Sequence, residues 1–598
     1  MKRTFSYTGM LAAVSIALSA GVCGAQEDQP IVAHIRMSGQ VLESAPEMVL
    51  FGEGTYMTLQ DWLKRLAAAR TDDKIAAVAL EIASPQVSWA QSQELADAVR
   101  RLNEVKPVYT YLASGGPREH LIAAAGRELT LCPTGQLTIV GVGMELLFLR
   151  GTLDKLGITP QMIQIGPYKG AAEPLQRTEP SEPLKEQYNW LLDDLYSQLV
   201  GQLAESRKLT KAQARAAIDE GLIPAARAKQ LKLVDRLMDG QDWEAHVRAA
   251  AAPRGKECKW VKSYAKKKDD SFDLSNPFAL LGAILKGKPA ERIVEPTIAI
   301  INASGMIVTG RGGESLFGTR MIGSRTMARC FRKVTDDNRI KAVVFRIDSP
   351  GGSAHASEEI YQAVRRCAAA KPVIVSMGSM GASGGYYIAC GASEICADEA
   401  SIVGSIGVMS GKLALSGLLE KIGVSRYEMT RGKQAGLGMT RPWTEAEQAV
   451  VRASAQRVYD LFVNRVKAGR GAKIAKLDKV TGGRVFTARQ AKANGLIDSV
   501  GGFREAVAQA QKAAGVDKAH FVTYPKPRGL IDILKGDSDD EDASAARLMR
   551  AVVDPYEAAA LRLLPANQKA GLGYLLNLAA LLAQENVAAA MPCHLGIR

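Results

Sequence analysis

Apolar and polar positions change period along the chain in a recurring order. Ala342 to Ile347 is a short run rich in β-branched and apolar residues, ending in the turn Ser349-Pro350-Gly351-Gly352. Ser357 to Cys367 then carries apolar residues at helical spacing, and Val373-Ile374-Val375 opens another strand. Strand, turn, helix and strand in succession predict an α/β fold with mostly parallel pairing. The same order occurs earlier. Sliding Ile75–Leu102 onto Ile340–Cys367, an offset of 265 residues, leaves 13 of 28 positions identical without a gap. Average composition would give about two. The register continues from Lys106-Pro107-Val108 to Lys371-Pro372-Val373, and with a one-residue slip from Leu153–Ile158 to Leu419–Val424. A tandem repeat of one α/β fold is expected.

The pattern also marks what lies outside the copies. Lys2 and Arg3 precede 13 mostly apolar residues, Met10 to Val22, and the small residues Cys23-Gly24-Ala25 follow. This is the three-part pattern of a secretory signal, too short for a comfortable membrane span, and it predicts export with cleavage after Ala25. An uncleaved anchor and lipidation of Cys23 are the rival readings. The expected organisation is 1–25 as signal peptide or N-terminal anchor, 26–265 as first repeat, 266–295 as linker, 296–525 as second repeat and 526–598 as tail. Within the linker, lysines flank the apolar octet Phe278–Leu285, which suits a membrane interface or packing against a repeat equally well. The tail holds an acidic run over 536–542 and an apolar patch, Leu572–Leu582, and no function is read from it.

Composition narrows the chemistry. With 598 residues, 47% hydrophobic and 23% charged, the chain is neither disordered, collagen-like nor a polytopic membrane protein. The net charge of +14 suits an anionic membrane surface or nucleic acid. No basic helix or aromatic-basic interleaving supports the nucleic acid. Six scattered His argue against a His metal cage or a Ser-His-Asp triad. Eight Cys without a C-x-x-C pair give no zinc ribbon or thioredoxin motif and read mostly as small buried hydrophobes.

Two of the differences between the copies mark where the chemistry is expected. The second copy has Gly381-Ala382-Ser383-Gly384-Gly385-Tyr386, a Ser hemmed in by small residues after a strand, as an exposed nucleophile requires. Small neighbours let backbone amides approach a carbonyl, and a following helix aims its positive end at an oxyanion. The turn at Gly351-Gly352 is placed to supply amides from the other side. At the 265 offset Ser383 becomes Arg118, while Gly351 and Gly352 become Gln86 and Val87. Paired loss argues for one catalytic and one altered copy. A tight-packing helix start is the plainer alternative for the Ser segment.

A Ser nucleophile needs a base. His355 is near in sequence but lacks an orienting Asp. A desolvated Lys is the other solution, because burial lowers its pKa until the neutral amine accepts the Ser proton. Lys169, in Tyr168-Lys169-Gly170-Ala171-Ala172-Glu173-Pro174, and Lys433, beside the 265-offset position, both remain open on spacing alone.

Taken in order, Tyr168-Lys169-x-Ala171-x-Glu173-Pro174, Ser349-Pro350-Gly351-Gly352-Ser353, Gly381–Tyr386 and Gly404-Ser405-Ile406-Gly407 resemble the signal peptide peptidase A family, also called protease IV, in its long two-repeat form. The resemblance covers roughly residues 30 to 525. It implies two Clp protease/crotonase-like α/β domains in a serine peptidase without metal or cofactor. Ser383 would be the nucleophile, Lys169 from the first repeat the general base, and Ser405 the residue that orients the amine. The amides of Gly352 and Gly384 would hold the oxyanion. It further implies cleaved signal peptides as substrates, a homotetramer with inward-facing sites, and association with the periplasmic side of the inner membrane. Gly170 departs from the family, where Ser is frequent. The competing functions are an inactive scaffold of the same fold and, less well supported, a crotonase-type acyl-CoA enzyme, which export argues against.

Overall fold

The computed structural model describes residues 29–46, 56–252, 257–265, 295–314, 320–526 and 587–590. The signal segment, nearly all of the linker, its apolar octet, the acidic run and the patch Leu572–Leu582 lie outside the described residues.

Each copy is built on a mainly parallel sheet. In the first, the order is Lys259–Val261, Ile31–Leu42, Ile75–Gln86, Val108–Leu112, Glu128–Leu131 and Arg236–Leu237. In the second, His520–Tyr524, Thr297–Ser304, Ile340–Ser349 and Val373–Ala382 run in the same sequence, and Glu394–Ala397 and Ser499–Val500 continue it. The expected strand over Ala342–Ile347 is thus longer at both ends. Its residues are almost all buried because helices cover both faces of the sheet, so the strand reads as a continuous apolar run without alternation. Each copy has its own core, one containing Leu80, Val99 and Leu112 and the other Phe345, Val364 and Tyr387. Cys258, Cys330, Cys367, Cys390 and Cys396 are buried, as expected of small hydrophobes.

The helix after the central strand begins the same way in both copies. Ser88 caps Trp89–Asn103 by accepting from the Gln91 amide at 3.1 Å. Ser353 caps Ala354–Ala370 by accepting from the Ala356 amide at 3.2 Å. These caps satisfy helix-end donors whatever the copy does chemically, which is why both copies keep a Ser at this position.

A strand pairing, a helix contact and a buried ion pair are among the contacts that join the copies. The first-copy strand Thr159–Ile165 pairs antiparallel with Val408–Ala414 of the second, from Ile165 opposite Val408 to Thr159 opposite Ala414. The 26-residue helix Glu182–Arg207 sets Leu184, Tyr188 and Leu191 against Ala382, Ile402 and Val485. Gln187 closes that contact in both directions, donating to the Val485 carbonyl at 2.8 Å and accepting its amide at 3.1 Å. Finally, the buried Arg346 of the second copy meets Glu43 at 3.0 Å and Glu94 at 2.8 Å, both from the first. Removing one partner of such a buried pair strands the other charge, so this contact disfavours separation of the copies.

Candidate active site

Ser383 stands where the strand Val373–Ala382 meets the short helix Gly384–Ala389, at φ 56°. A non-glycine residue in that region costs about 1–3 kcal/mol and persists where its surroundings over-determine it. Here its amide donates to the Gly404 carbonyl at 2.7 Å, and its carbonyl accepts from the Tyr387 amide at 2.8 Å. The Ser-Pro-Gly-Gly turn lies directly alongside: a Cβ on Gly385 would stand 2.7 Å from the Ser349 carbonyl oxygen. Gly351–Ser353 forms a short strand in which Gly352, at φ 155°, leaves only 2.1 Å between a would-be Cβ and the Ile307 carbonyl oxygen. Only glycine lets the backbone pass there. Gly352 and Gly384 therefore lie on the two backbone segments that bracket Ser383.

Lys169 arrives from the other copy. After Ile165 the chain turns at Gly166, φ 108°, where a Cβ would stand 2.5 Å from the backbone of Gly482. The Tyr168 amide donates to the Gly482 carbonyl at 3.0 Å, and the Arg484 guanidinium lies 3.7 Å from the centre of the Tyr168 ring. The lysine stem then runs between two glycines: Cβ atoms would stand 3.1 Å from its Cδ at Gly407 and 2.8 Å from its Cβ at Gly483. Beyond it, buried Glu173 accepts the Ser181 amide at 2.8 Å and the Ser181 hydroxyl at 2.6 Å, closing the loop. Gly170, the departure noted in the motif, packs on Leu184, which a Cβ would approach to 2.7 Å.

The lysine Nζ ends 2.6 Å from Ser383 Oγ, 2.9 Å from Ser405 Oγ and 3.0 Å from the Ser405 carbonyl oxygen. Ser405 holds φ 55°, with its amide on the Arg484 carbonyl. All three side chains are 0% exposed. Among the described residues no carboxylate is a hydrogen-bond partner of the Lys169 amine, and burial pushes its pKa well below the ordinary value of 10.5.

The structure separates the two lysines and sets aside the histidine. Lys433 is exposed on a surface segment. His355 faces solvent and pairs with Glu359 at 3.4 Å. The expectation of an exposed nucleophile is corrected: Ser383 is fully enclosed, because the elbow, the lysine and the Ser405 loop pack around it. Gly483 and the Gln187 helix were not singled out in the sequence. The doublet Gly482-Gly483 just before the β-branched and aromatic run Val485-Phe486-Thr487 was the available signal.

The model of Peptidase family S49 matches residues 100–252 and 365–517. The chain belongs to peptidase family S49. It carries the family's domain twice, as the internal repeat requires, and each match covers the later strands of its own copy's sheet, from Val108–Leu112 in the first and Val373–Ala382 in the second. The chain is 30% identical to the chloroplastic serine protease SPPA of Arabidopsis thaliana, over 80% of this chain and 70% of that one. It is 32% identical to Protease 4 of Haemophilus influenzae over 68% of this chain and 65% of that protein. Protease 4 of Salmonella typhi is 28% identical, with 80% and 75% covered. The S49 membership agrees with the family resemblance carried by the motifs.

Proposed function

We propose that this chain is a membrane-associated serine endopeptidase that degrades cleaved signal peptides and other apolar peptides with Ser383 as nucleophile and Lys169 as general base. The observation that carries the reading is the buried Lys169 amine 2.6 Å from Ser383 Oγ. A neutral amine has two N–H donors and one lone pair. The donors are used by the carbonyl and hydroxyl oxygens of Ser405, which leaves the lone pair facing the Ser383 hydroxyl proton. Ser405 thereby orients the base.

In the first half-reaction Ser383 Oγ bonds to the scissile carbonyl carbon as its proton passes to Lys169. The oxyanion is held by the amides of Gly352 and Gly384, and Lys169 returns the proton to the departing amine as the peptide bond breaks. Water then attacks the acyl-enzyme with Lys169 again as base, and Ser383 recovers its proton. No metal or cofactor enters these steps.

Export to the periplasmic side of the inner membrane follows from the signal-like N-terminus. Surface attachment follows from the net charge of +14, and assembly as a homotetramer from the family resemblance. No described helix is long and apolar enough to cross a membrane. The test is hydrolysis of an apolar peptide by wild type and Ser383→Ala. The expected outcome is loss of all but residual turnover; activity surviving in the variant overturns the nucleophile.

A further inference from the structure

The strand that leads to the Ser383 elbow does not pair evenly with its neighbour. Ile347 of Ile340–Ser349 stands opposite Met377 of Val373–Ala382, but Ser349 stands opposite Gly381. One residue, Asp348, therefore faces three: Gly378, Ser379 and Met380. A bulge of this kind leaves main-chain groups without ladder partners, and beside a site it re-aims the chain. Here side chains take the partners' place. Asp348 Oδ1 accepts the Met380 amide at 2.9 Å, and the Ser379 amide bonds the same carboxyl group. The Ser401 hydroxyl donates to the Gly378 carbonyl at 2.5 Å. A Cβ on Gly378 would stand 3.2 Å from the Asp348 Cβ and 3.3 Å from an Arg346 nitrogen, so the bulge is closely packed.

Asp348 also holds the opposite side of the site. Its carbonyl accepts the Gly305 amide at 2.9 Å, just ahead of Met306–Val308, whose Ile307 is the strand partner of Gly352. One residue on, the Ser349 hydroxyl accepts the Gly351 amide at 3.1 Å. Asp348 thus ties the turn bearing Gly352 to the segment that ends in Ser383 and Gly384. The first copy has neither device. Ala83 occupies the equivalent position, and the pairing of Val78–Ile82 with Val108–Leu112 keeps one register to its end. The charged groups around Asp348 are Arg346 on its own strand, Glu43 and Glu94 from the first copy, and Asp398 beside Glu94. Burial and Glu43 push its pKa up to about 7, against the pull of Arg346 and the two amides.

We propose that Asp348 is a positioning residue for the oxyanion donors: by holding the bulge Gly378–Met380 it sets the spacing between Gly352 and Gly384. Without the carboxyl group the amides of Ser379 and Met380 lose their acceptor, and the bulge relaxes toward even pairing. That movement carries the elbow out of line with the turn while leaving the remaining peptide-binding surface in place. The proposal rests on the peptidase reading above, with Ser383 as nucleophile and Gly352 and Gly384 as donors.

The test compares two probes on the full chain, the aldehyde of acetyl-Leu-Leu-norleucine and the corresponding alcohol, above the Asp348 pKa at about pH 8.5, where the carboxylate prevails. Ser383 Oγ adds to the aldehyde carbon, its proton passes to Lys169, and the carbonyl oxygen becomes the oxyanion; the alcohol forms no adduct. Wild type should prefer the aldehyde by about 10²-fold or more. Asp348→Ala should cut that preference at least tenfold and lower kcat on an apolar peptide about 10²-fold, the scale of a small misplacement, with KM within about twofold. Asp348→Asn keeps one acceptor oxygen and should fall between the two. Ser401→Ala, which frees the Gly378 carbonyl from the other side, should shift the preference in the same direction and decides the matter if Asp348→Ala does not fold. An unchanged aldehyde preference in these variants, or equal losses for aldehyde and alcohol, overturns the positioning role alone. A wild type that binds aldehyde and alcohol equally overturns the nucleophile and oxyanion reading, and the positioning role with it.

Discussion

The two copies share a sheet and a helix cap but use the same positions for different work. In the second, the central strand stops at Ser349, Pro350 intervenes, and Gly351 and Gly352 take left-handed conformations beside Ser383. In the first, the strand runs on through Pro85 to Gln86, and Arg118 stands where Ser383 would be. The Arg118 guanidinium donates to the Val87 carbonyl at 2.8 Å, and Val87 is the counterpart of Gly352. An arginine thus bridges the elements that bracket the serine in the other copy. Glu94 and Glu359 are equivalent and identical, yet Glu94 is buried against Arg346 while Glu359 meets His355 at the surface. The altered copy has become a platform. It gives Lys169 to its neighbour and buries its own acids against the neighbour's arginine.

The largest effect should come from breaking the division of labour between copies. Lys169→Ala should lower kcat/KM about as far as Ser383→Ala, ~10³-fold or more, and the double variant should be no worse than either. Additive losses would show that the two residues do not act as a unit.

Next, Gly352→Val installs the first copy's residue. With 2.1 Å between a would-be Cβ and the Ile307 carbonyl oxygen, the strand must shift. A loss of about 10²–10³-fold in kcat is expected, the scale of one misplaced oxyanion donor. Wild-type kcat in the variant would remove Gly352 from the site.

A smaller effect separates stability from function. The folded pKa of Lys169 is depressed below the 10.5 of the free side chain, so between those two values the unfolded chain binds the extra proton. The resulting destabilisation is full below the folded pKa and disappears as pH rises through 10.5. With the neutral amine as the proposed base, the rate should fall as pH drops through the depressed pKa and hold above it. Lys169→Met should abolish activity yet raise Tm by ~2–4 °C at neutral pH, a gain that shrinks toward alkaline pH. An unchanged Tm would mean that the buried amine has no desolvation cost.

The smallest effects belong to the residues the site does not use. Arg118→Ala removes the bond to Val87 and should cost about 1 kcal/mol in urea denaturation, with kcat unchanged. Lys433→Ala, at an exposed position, should leave both activity and stability at wild-type values. A large loss of activity there would return the base to the second copy.

The repeat, the α/β class and the position of Ser383 were legible in the sequence because each leaves a local mark. Identity at a fixed offset, apolar period and small residues around a serine all act over a few positions. The serine cap before each central helix is of the same kind, since Ser88 and Ser353 need only the amide three residues on. The choice between Lys169 and Lys433 was not local. It depends on pairing between strands 159–165 and 408–414 and on the room beside Gly407 and Gly483, contacts that span more than two hundred residues. Nor did composition disclose that Ala588 fills a pocket of Met306, Met409, Ala171 and Ala172. A short alanine-rich segment has no periodicity of its own, and only the open edges of two distant strands give it a place. Burial does what sequence alone could not: it takes a lysine that would be a surface cation and, by removing water, lowers the pKa of its amine well below the ordinary value.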